Sequence, residues 1–266
     1  MPSLPCPGTV PSSDAAPIPR PDEAELYELA YYHGRERDHH LLRFLSALID
    51  RHSPGGEVLD CACGTGEPSL WLAEWYPVTL ADASESMVRE ARRKAARVGL
   101  GHVPVQTAEW AALPTAFDRR FAAVLCTGNA LAQAVTCEQR RAALRGMRDV
   151  AAAGGMIYLD FREDYGEFPT ERFTLSEVTG PLKWKEYELA LMVYEGRFSA
   201  QIRRIREFLL VSPGRASVLW SATTRYLPFS RAEIRDDLVA VGFGEPVFHA
   251  RPGAWPLTAV TATRSV

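Results

Sequence analysis

A short apolar segment runs into a glycine loop at Val58-Leu59-Asp60-Cys61-Ala62-Cys63-Gly64-Thr65-Gly66. Gly64 and Gly66 let a ligand lie against the backbone with no Cβ in the way. Asp60 ends the segment before the loop, where a carboxylate suits a ligand cation. A second apolar segment, Val78 to Ala81, runs into Asp82, 22 residues after Asp60. A carboxylate at that point can accept both hydroxyls of a ribose. Either acid alone has a plainer role: Asp82 as a cap for a helix opening near Ser84, Asp60 as a solvated strand-end charge. The glycine loop between them makes a joint ligand role the better reading.

Three ligand classes compete for such a loop. A P-loop needs Gly-Lys-Ser/Thr, and Glu67-Pro68 stands there instead. A dinucleotide loop is only partly matched by Gly64-x-Gly66-x-x-Ser69, and Glu67 would sit close to the pyrophosphate, at a helix N-terminus that favours anions. S-adenosylmethionine (SAM) has no phosphate and carries a sulfonium and an ammonium, which Asp60 suits. Asp82 fits both SAM and NAD. An NAD(P)-linked oxidoreductase and a non-catalytic SAM-binding protein therefore stay open as alternatives.

The elements that position these residues alternate. Strands at 57–60, 78–81, 103–106, 121–126 and 156–161 are separated by helices at 67–76, 84–98 and from Thr136 onward. Thr136-x-x-Gln139 is a capping-box pattern. Met87, Ala91, Ala95 and Val98 share one helical face, and Ala143, Met147 and Val150 another. Two helices, 23–32 and 36–51, come first. This pattern implies a parallel sheet with right-handed crossovers. After Phe161 the apolar period drops to two. Segments 184–194, 202–211 and 218–226 read as three antiparallel strands. Ser230-x-x-Glu233 caps a last helix that stops at Gly242, and strands at 245–249 and 257–263 close the chain. The expected fold is α/β: a Rossmann-like, doubly wound, seven-stranded sheet with a small antiparallel layer inserted after the fifth strand, over about 163–226. One domain spans 22–266. Residues 1–21, with seven of the 19 prolines, are expected to form a disordered tail.

Composition narrows the partners. The 266 residues are 47% hydrophobic and 24% charged, the mix of a packed globular chain. Net charge is −3, and only three of the 30 basic residues are lysines (Lys94, Lys183, Lys185). That argues against a nucleic-acid or anionic-membrane surface. No apolar run approaches the roughly 18 residues of a membrane helix, and no secretory signal is expected, since the first residues lack a positive stretch followed by an apolar one. Five cysteines (Cys6, Cys61, Cys63, Cys126, Cys137) suggest neither a disulfide framework nor a metal site, and point to a reducing cytoplasm. A homo-oligomer is left open, since the Pro-rich tail could order against a neighbouring subunit.

Asp60-Cys-Ala-Cys-Gly-Thr-Gly66, followed by Asp82 and Met87, resembles motifs I and II of the class I SAM-dependent methyltransferases. Over residues 30 to 266 the sequence is most similar to glycine/sarcosine N-methyltransferases. Four segments carry that closer likeness: Tyr31 to Arg37; Cys126-Thr-Gly-Asn129-Ala-Leu-Ala132; Asp160-Phe161-Arg162; and the β-rich insert leading to Arg225-Tyr226. The resemblance implies that Asp60, Ala62 and Gly64 line the methionine end of SAM, with Arg37 at its carboxylate, and that Tyr32, Gly66 and Ala83 also belong to the cofactor site. It implies that Asp82 holds the ribose, that Met87 packs near the adenine, that Glu109-Trp110 bracket it, and that the Cys126 carbonyl meets the amino group. Asn129, Arg162 and Tyr226 would serve the acceptor, Arg162 as a bidentate carboxylate clamp.

Phe161 replaces the family's histidine, and Glu163-Asp164 replaces Asn-Tyr. These departures lie on the acceptor side. The expected reaction is SN2 methyl transfer to a small-molecule acceptor, an amine of an amino-acid-like substrate. A natural-product C- or O-methyltransferase acting on an aromatic, indole or phenolic acceptor is the alternative within the family. His33, His39 or a tyrosine of the insert are the candidates for a general base, and no metal is implied.

Overall fold

The computed structural model describes residues 22–32, 37–52, 55–163, 165, 170–212, 215–252 and 257–265. The expected tail, 1–21, and the candidate base His33 lie outside them. The main sheet has seven strands in the order β10-β11-β5-β4-β1-β2-β3. They are β1 Val58–Asp60, β2 Val78–Asp82, β3 Val105–Thr107, β4 Phe121–Cys126, β5 Ala151–Phe161, β10 Val247–Ala250 and β11 Thr258–Thr263. β1 to β5 are parallel; β11 runs antiparallel to β5, and β10 antiparallel to β11.

One sheet face packs against the short α4 (Leu113–Ala116), α5 (Cys137–Val150) and α6 (Arg231–Ala240); Leu113, Ala143, Leu144, Met147, Ile234 and Leu238 are buried there. The other face packs against α2 (His39–His52) and α3 (Glu85–Arg97) through Leu41, Leu45, Leu48, Val88 and Ala91. Thr136 and Ser230 both cap as their spacing indicates, Ser230 in a full reciprocal box with Glu233.

Between β5 and α6 lies a separate antiparallel meander of four strands: β6 Thr174–Trp184, β7 Tyr187–Phe198, β8 Gln201–Ser212 and β9 Arg215–Tyr226. The sequence pattern indicates three. It misses β6 because most of that edge strand is exposed and lacks apolar alternation. Helix α1 (Glu23–Tyr31) packs on one face of this sheet, burying Leu26 and Leu29 with Leu189, Leu191, Val193 and Phe208. Asp22 caps α1 with Glu25 in a reciprocal box.

Two further expectations are corrected. The segment 67–76 is not an α-helix but a 3-10 turn over Ser69–Glu74, squeezed between Pro68 and the start of β2. Pro68 has no N–H to give and blocks continuation from the loop. The buried face of α3 is Val88, Ala91, Lys94 and Ala95, not one led by Met87; Met87 is half-buried and Val98 exposed. Lys94 takes an inward position because it finds carboxylates there. No helix is long and apolar enough to cross a membrane among the described residues.

Candidate functional site

Asp60 and Asp82 end adjacent parallel strands, in register from Val58↔Val78 to Asp60↔Leu80. Both carboxylates turn onto the glycine loop. Asp60 Oδ1 accepts the Ala62 N–H at 2.9 Å, and its Oδ2 accepts the Ser69 hydroxyl. Asp82 Oδ2 accepts the Gly64 N–H at 2.8 Å, while Oδ1 accepts the Ser84 N–H at 2.9 Å, the capping role its position before α3 also suggests. Each oxygen retains a second lone pair for a ligand. Asp60 is fully buried, and its hydrogen-bond partners are neutral. Burial pushes its carboxyl up to about 7. Asp82 is also raised, chiefly by burial. A buried carboxylate hydrogen-bonded only to neutral groups is a poor structural element and a good receptor for a ligand ammonium.

The loop takes left-handed backbone at Gly64 (φ 53°) and Gly66 (φ 106°), conformations that favour glycine. Below it, Trp110 donates its indole N–H to the Cys61 carbonyl at 2.8 Å, so the ring is bound to the loop rather than free. Glu109 and Ala83 are exposed beside it, and Met87 and Ala62 are half-buried. Cys126 is buried at the end of β4. Arg37 is exposed, stacked 3.6 Å from the Trp71 ring centroid and paired with Glu74 at 2.7 Å.

Helix α1 covers the loop, which the sequence does not announce. The Tyr27 ring lies 3.7 Å from where a Gly64 Cβ would stand. It packs 4.7 Å from Tyr31 and 6.0 Å from Tyr32, centroid to centroid. The only signal was the Tyr27-x-x-x-Tyr31-Tyr32 spacing, which places aromatic side chains on neighbouring helical positions. Glu28 of the same helix receives the Thr65 hydroxyl and pairs with buried Lys94 at 2.8 Å. Lys94 also reaches Glu67 at 3.4 Å, which offsets the acid at the loop.

On the side expected to face the acceptor, Asn129 follows Gly128 with both in left-handed backbone (φ 62° and 72°). The Asn129 backbone N–H donates to Asp160 at 3.1 Å. Its side-chain Oδ1 accepts the Arg162 N–H at 3.0 Å, and its Nδ2 donates to Tyr165 Oη at 2.8 Å. It thus ties the end of β4 to the end of β5. Asp160 is itself buried and paired with Arg251 at 2.8 Å. The Arg162 guanidinium reaches buried Glu195 at 3.6 Å and lies 4.8 Å above the Tyr165 ring. Tyr226 is buried 6.2 Å from Tyr165, ring to ring. Phe161 is core, 4.8 Å from Phe229. His39 is exposed at the start of α2.

Residues 58–155 match the model of a methyltransferase domain family. Human glycine N-methyltransferase is 31% identical over 156 residues, covering 53% of this chain and 52% of that protein. The match thus spans about half the length of that relative. A dTDP-3-amino-3,6-dideoxy-alpha-D-glucopyranose N,N-dimethyltransferase of Streptomyces fradiae is 26% identical, covering 87% of this chain and 91% of that protein. A solved sugar N-methyltransferase from a Streptoalloteichus species shares the fold at TM-score 0.73 and 22% identity, covering 98% of this chain and 100% of its own. The matched domain starts at the first residue of β1 and ends within β5. It is the parallel core that carries both aspartates, so the likeness to a methyltransferase domain rests on the strands and loop that hold the candidate site.

Proposed function

We propose that the protein transfers a methyl group from SAM to an amine nitrogen of a small-molecule acceptor. The observation that carries this is the paired strand-end carboxylates, Asp60 and Asp82, held onto one glycine loop with no phosphate-binding group on it. When bound, SAM supplies a methyl group on a sulfonium that is already a good leaving group. The chain's own residues then mainly orient, cover and desolvate. Asp60 holds the ammonium, and Asp82 the ribose hydroxyls. Tyr27 shields the loop, presenting an aromatic face to the positive end of the ligand. The acceptor nitrogen must carry a free lone pair. Its N–C bond forms as the sulfonium S–C bond breaks, and its proton leaves to solvent. The insert, with Tyr226 and Arg162, closes the acceptor side.

An amine acceptor is supported by two relatives from different substrate classes, whose names describe N-methylation of glycine and of an amino sugar. The test is S-adenosylhomocysteine release with glycine, sarcosine, dimethylglycine, other amino acids, amino sugars, simple phenols and indoles. Product mass must rise by one methyl on nitrogen for an amine in the panel. Turnover confined to phenols or indoles would replace the N-methylation reading with O- or C-methylation.

A further inference from the structure

The inner face of the inserted sheet carries two arginines in phase, Arg204 and Arg206. Along β8, Ile202, Arg204, Arg206 and Phe208 register with Tyr226, Thr224, Ala222 and Trp220 of β9 and share one face. Ile202 and Phe208 are buried on it. Arg203, one residue out of phase, is exposed. Glu195 of β7, 3% exposed, already holds two guanidiniums: Arg204, and Arg162 at 3.6 Å. Arg206 bonds only hydroxyls among the described residues: Tyr31 at 2.8 Å, Thr224 at 2.9 Å and Tyr226 at 3.2 Å. Arg206 thus leaves an excess of positive charge in a half-buried setting, with no carboxylate partner among the described residues, where charge without a counter-charge is costly.

The position of Arg206 gives that excess a use. Tyr31, which it holds, packs on Tyr27 over Gly64. Tyr226, which it also holds, packs on Tyr165, the partner of Asn129. Arg206 therefore sits between the cover of the cofactor loop and the acceptor-side residues. Having accepted from Arg206, the Tyr226 hydroxyl keeps its own proton to donate. A nearby guanidinium also disfavours a protonated amine and so helps keep an acceptor nitrogen neutral.

We infer that Arg206, backed by Arg204, anchors an oxyanion of the acceptor, so that the methylated amine belongs to a molecule bearing a carboxylate or phosphate. The inference deepens the N-methyltransferase reading and rests on it. The structure assigns this anchoring to Arg206 and not to Arg162, whose guanidinium is drawn to Glu195.

The test is calorimetric titration of sodium acetate and of sodium pyrophosphate into the ligand-free and the S-adenosylhomocysteine-loaded protein. At least one anion is expected to bind one to one, and the pair separates carboxylate from phosphate recognition. Arg206→Met should weaken that binding at least tenfold, with S-adenosylhomocysteine affinity unchanged. Arg203→Met, on the opposite face, should bind as wild type. Thr224→Val, which removes one hydrogen bond to Arg206 but leaves the charge, should stay within threefold. The inference is overturned if neither anion binds the wild type, or if Arg206→Met and Arg203→Met behave alike. It is also overturned if Thr224→Val loses as much as Arg206→Met, or if Arg206→Met loses S-adenosylhomocysteine in parallel; either marks a strut between α1 and the sheet. Failure of the wild type to bind S-adenosylhomocysteine strikes the methyltransferase reading instead, and the titration of ligand-free protein still decides the role of Arg206.

Discussion

The carboxylate of Asp82 accepts the backbone N–H of Gly64 at 2.8 Å, across the gap between the second strand and the loop that leaves the first. One side chain therefore shapes the loop and, on the proposed reading, also meets the ribose. Asp82→Ala should weaken SAM binding by roughly 10- to 100-fold, the cost of losing charge-assisted hydrogen bonds of about 1.5–3 kcal/mol. Ser84, whose N–H also loses its acceptor, should leave α3 frayed at its start. Calorimetric affinities of wild type and variant check this; equal values would remove Asp82 from the ribose site.

Asp60 gives a pH dependence with a definite sign. Burial raises its carboxyl from 3.8 to about 7, so it is neutral below that pH and charged above it. If the carboxylate holds the SAM ammonium, affinity should fall roughly tenfold between pH 8 and pH 6. The same shift acts on stability with the opposite benefit. Between the unfolded and folded values the native state binds the extra proton, so this group stabilises the fold at low pH and loses that effect as pH rises through 7. Asp60→Asn should therefore raise the melting temperature of the ligand-free protein more at pH 8 than at pH 6, while abolishing the pH dependence of SAM binding. A variant melting curve displaced equally at both pH values would contradict the assignment.

Gly146 of α5 allows the helix to touch the turn that carries Trp110. A Cβ there would stand 1.9 Å from the Trp110 carbonyl oxygen. Since the indole N–H of Trp110 holds the Cys61 carbonyl, Gly146→Ala should act at two levels. Overpacking costs about 1–3 kcal/mol or more, read as a lower melting temperature, and the displaced indole should loosen SAM binding. A folded variant of wild-type stability would show that the approach is not tight.

Asn129 spends its amide on positioning Arg162 and Tyr165, not on the cofactor loop. Asn129→Gly keeps the left-handed backbone available and removes only the amide. It should lower kcat about tenfold or more with SAM affinity unchanged, since the oriented parts belong to the acceptor side. Parallel losses in both quantities would mean that the amide supports the whole sheet edge.

The strand-end and glycine-loop geometry of the candidate cofactor site was legible because local rules govern it. Asp60, Gly64, Gly66 and Asp82 stand at strand ends and in a glycine loop, whose periodicity and spacing survive in one dimension. The caps at Thr136 and Ser230 were legible for the same reason. What the sequence hid is tertiary. Lys94 reads as a charge on a helix, yet it is buried because Glu28 and Glu67 arrive from elsewhere in the chain. Tyr27 reads as one aromatic of a short helix, yet it covers Gly64. Arg204 and Arg206 share a face by strand alternation, and the register of β8 on β9 places that face beside Thr224 and Tyr226. Strand β6 left no alternation because so little of it is buried.

The most direct measurement is calorimetric titration of SAM into the wild-type protein and into Asp60→Ala and Asp82→Ala, with NADH as the competing ligand. One-to-one SAM binding that both substitutions weaken at least tenfold, with no heat from NADH, is the result predicted. SAM affinity untouched by both substitutions, or binding of NADH in its place, would contradict the assignment of the loop.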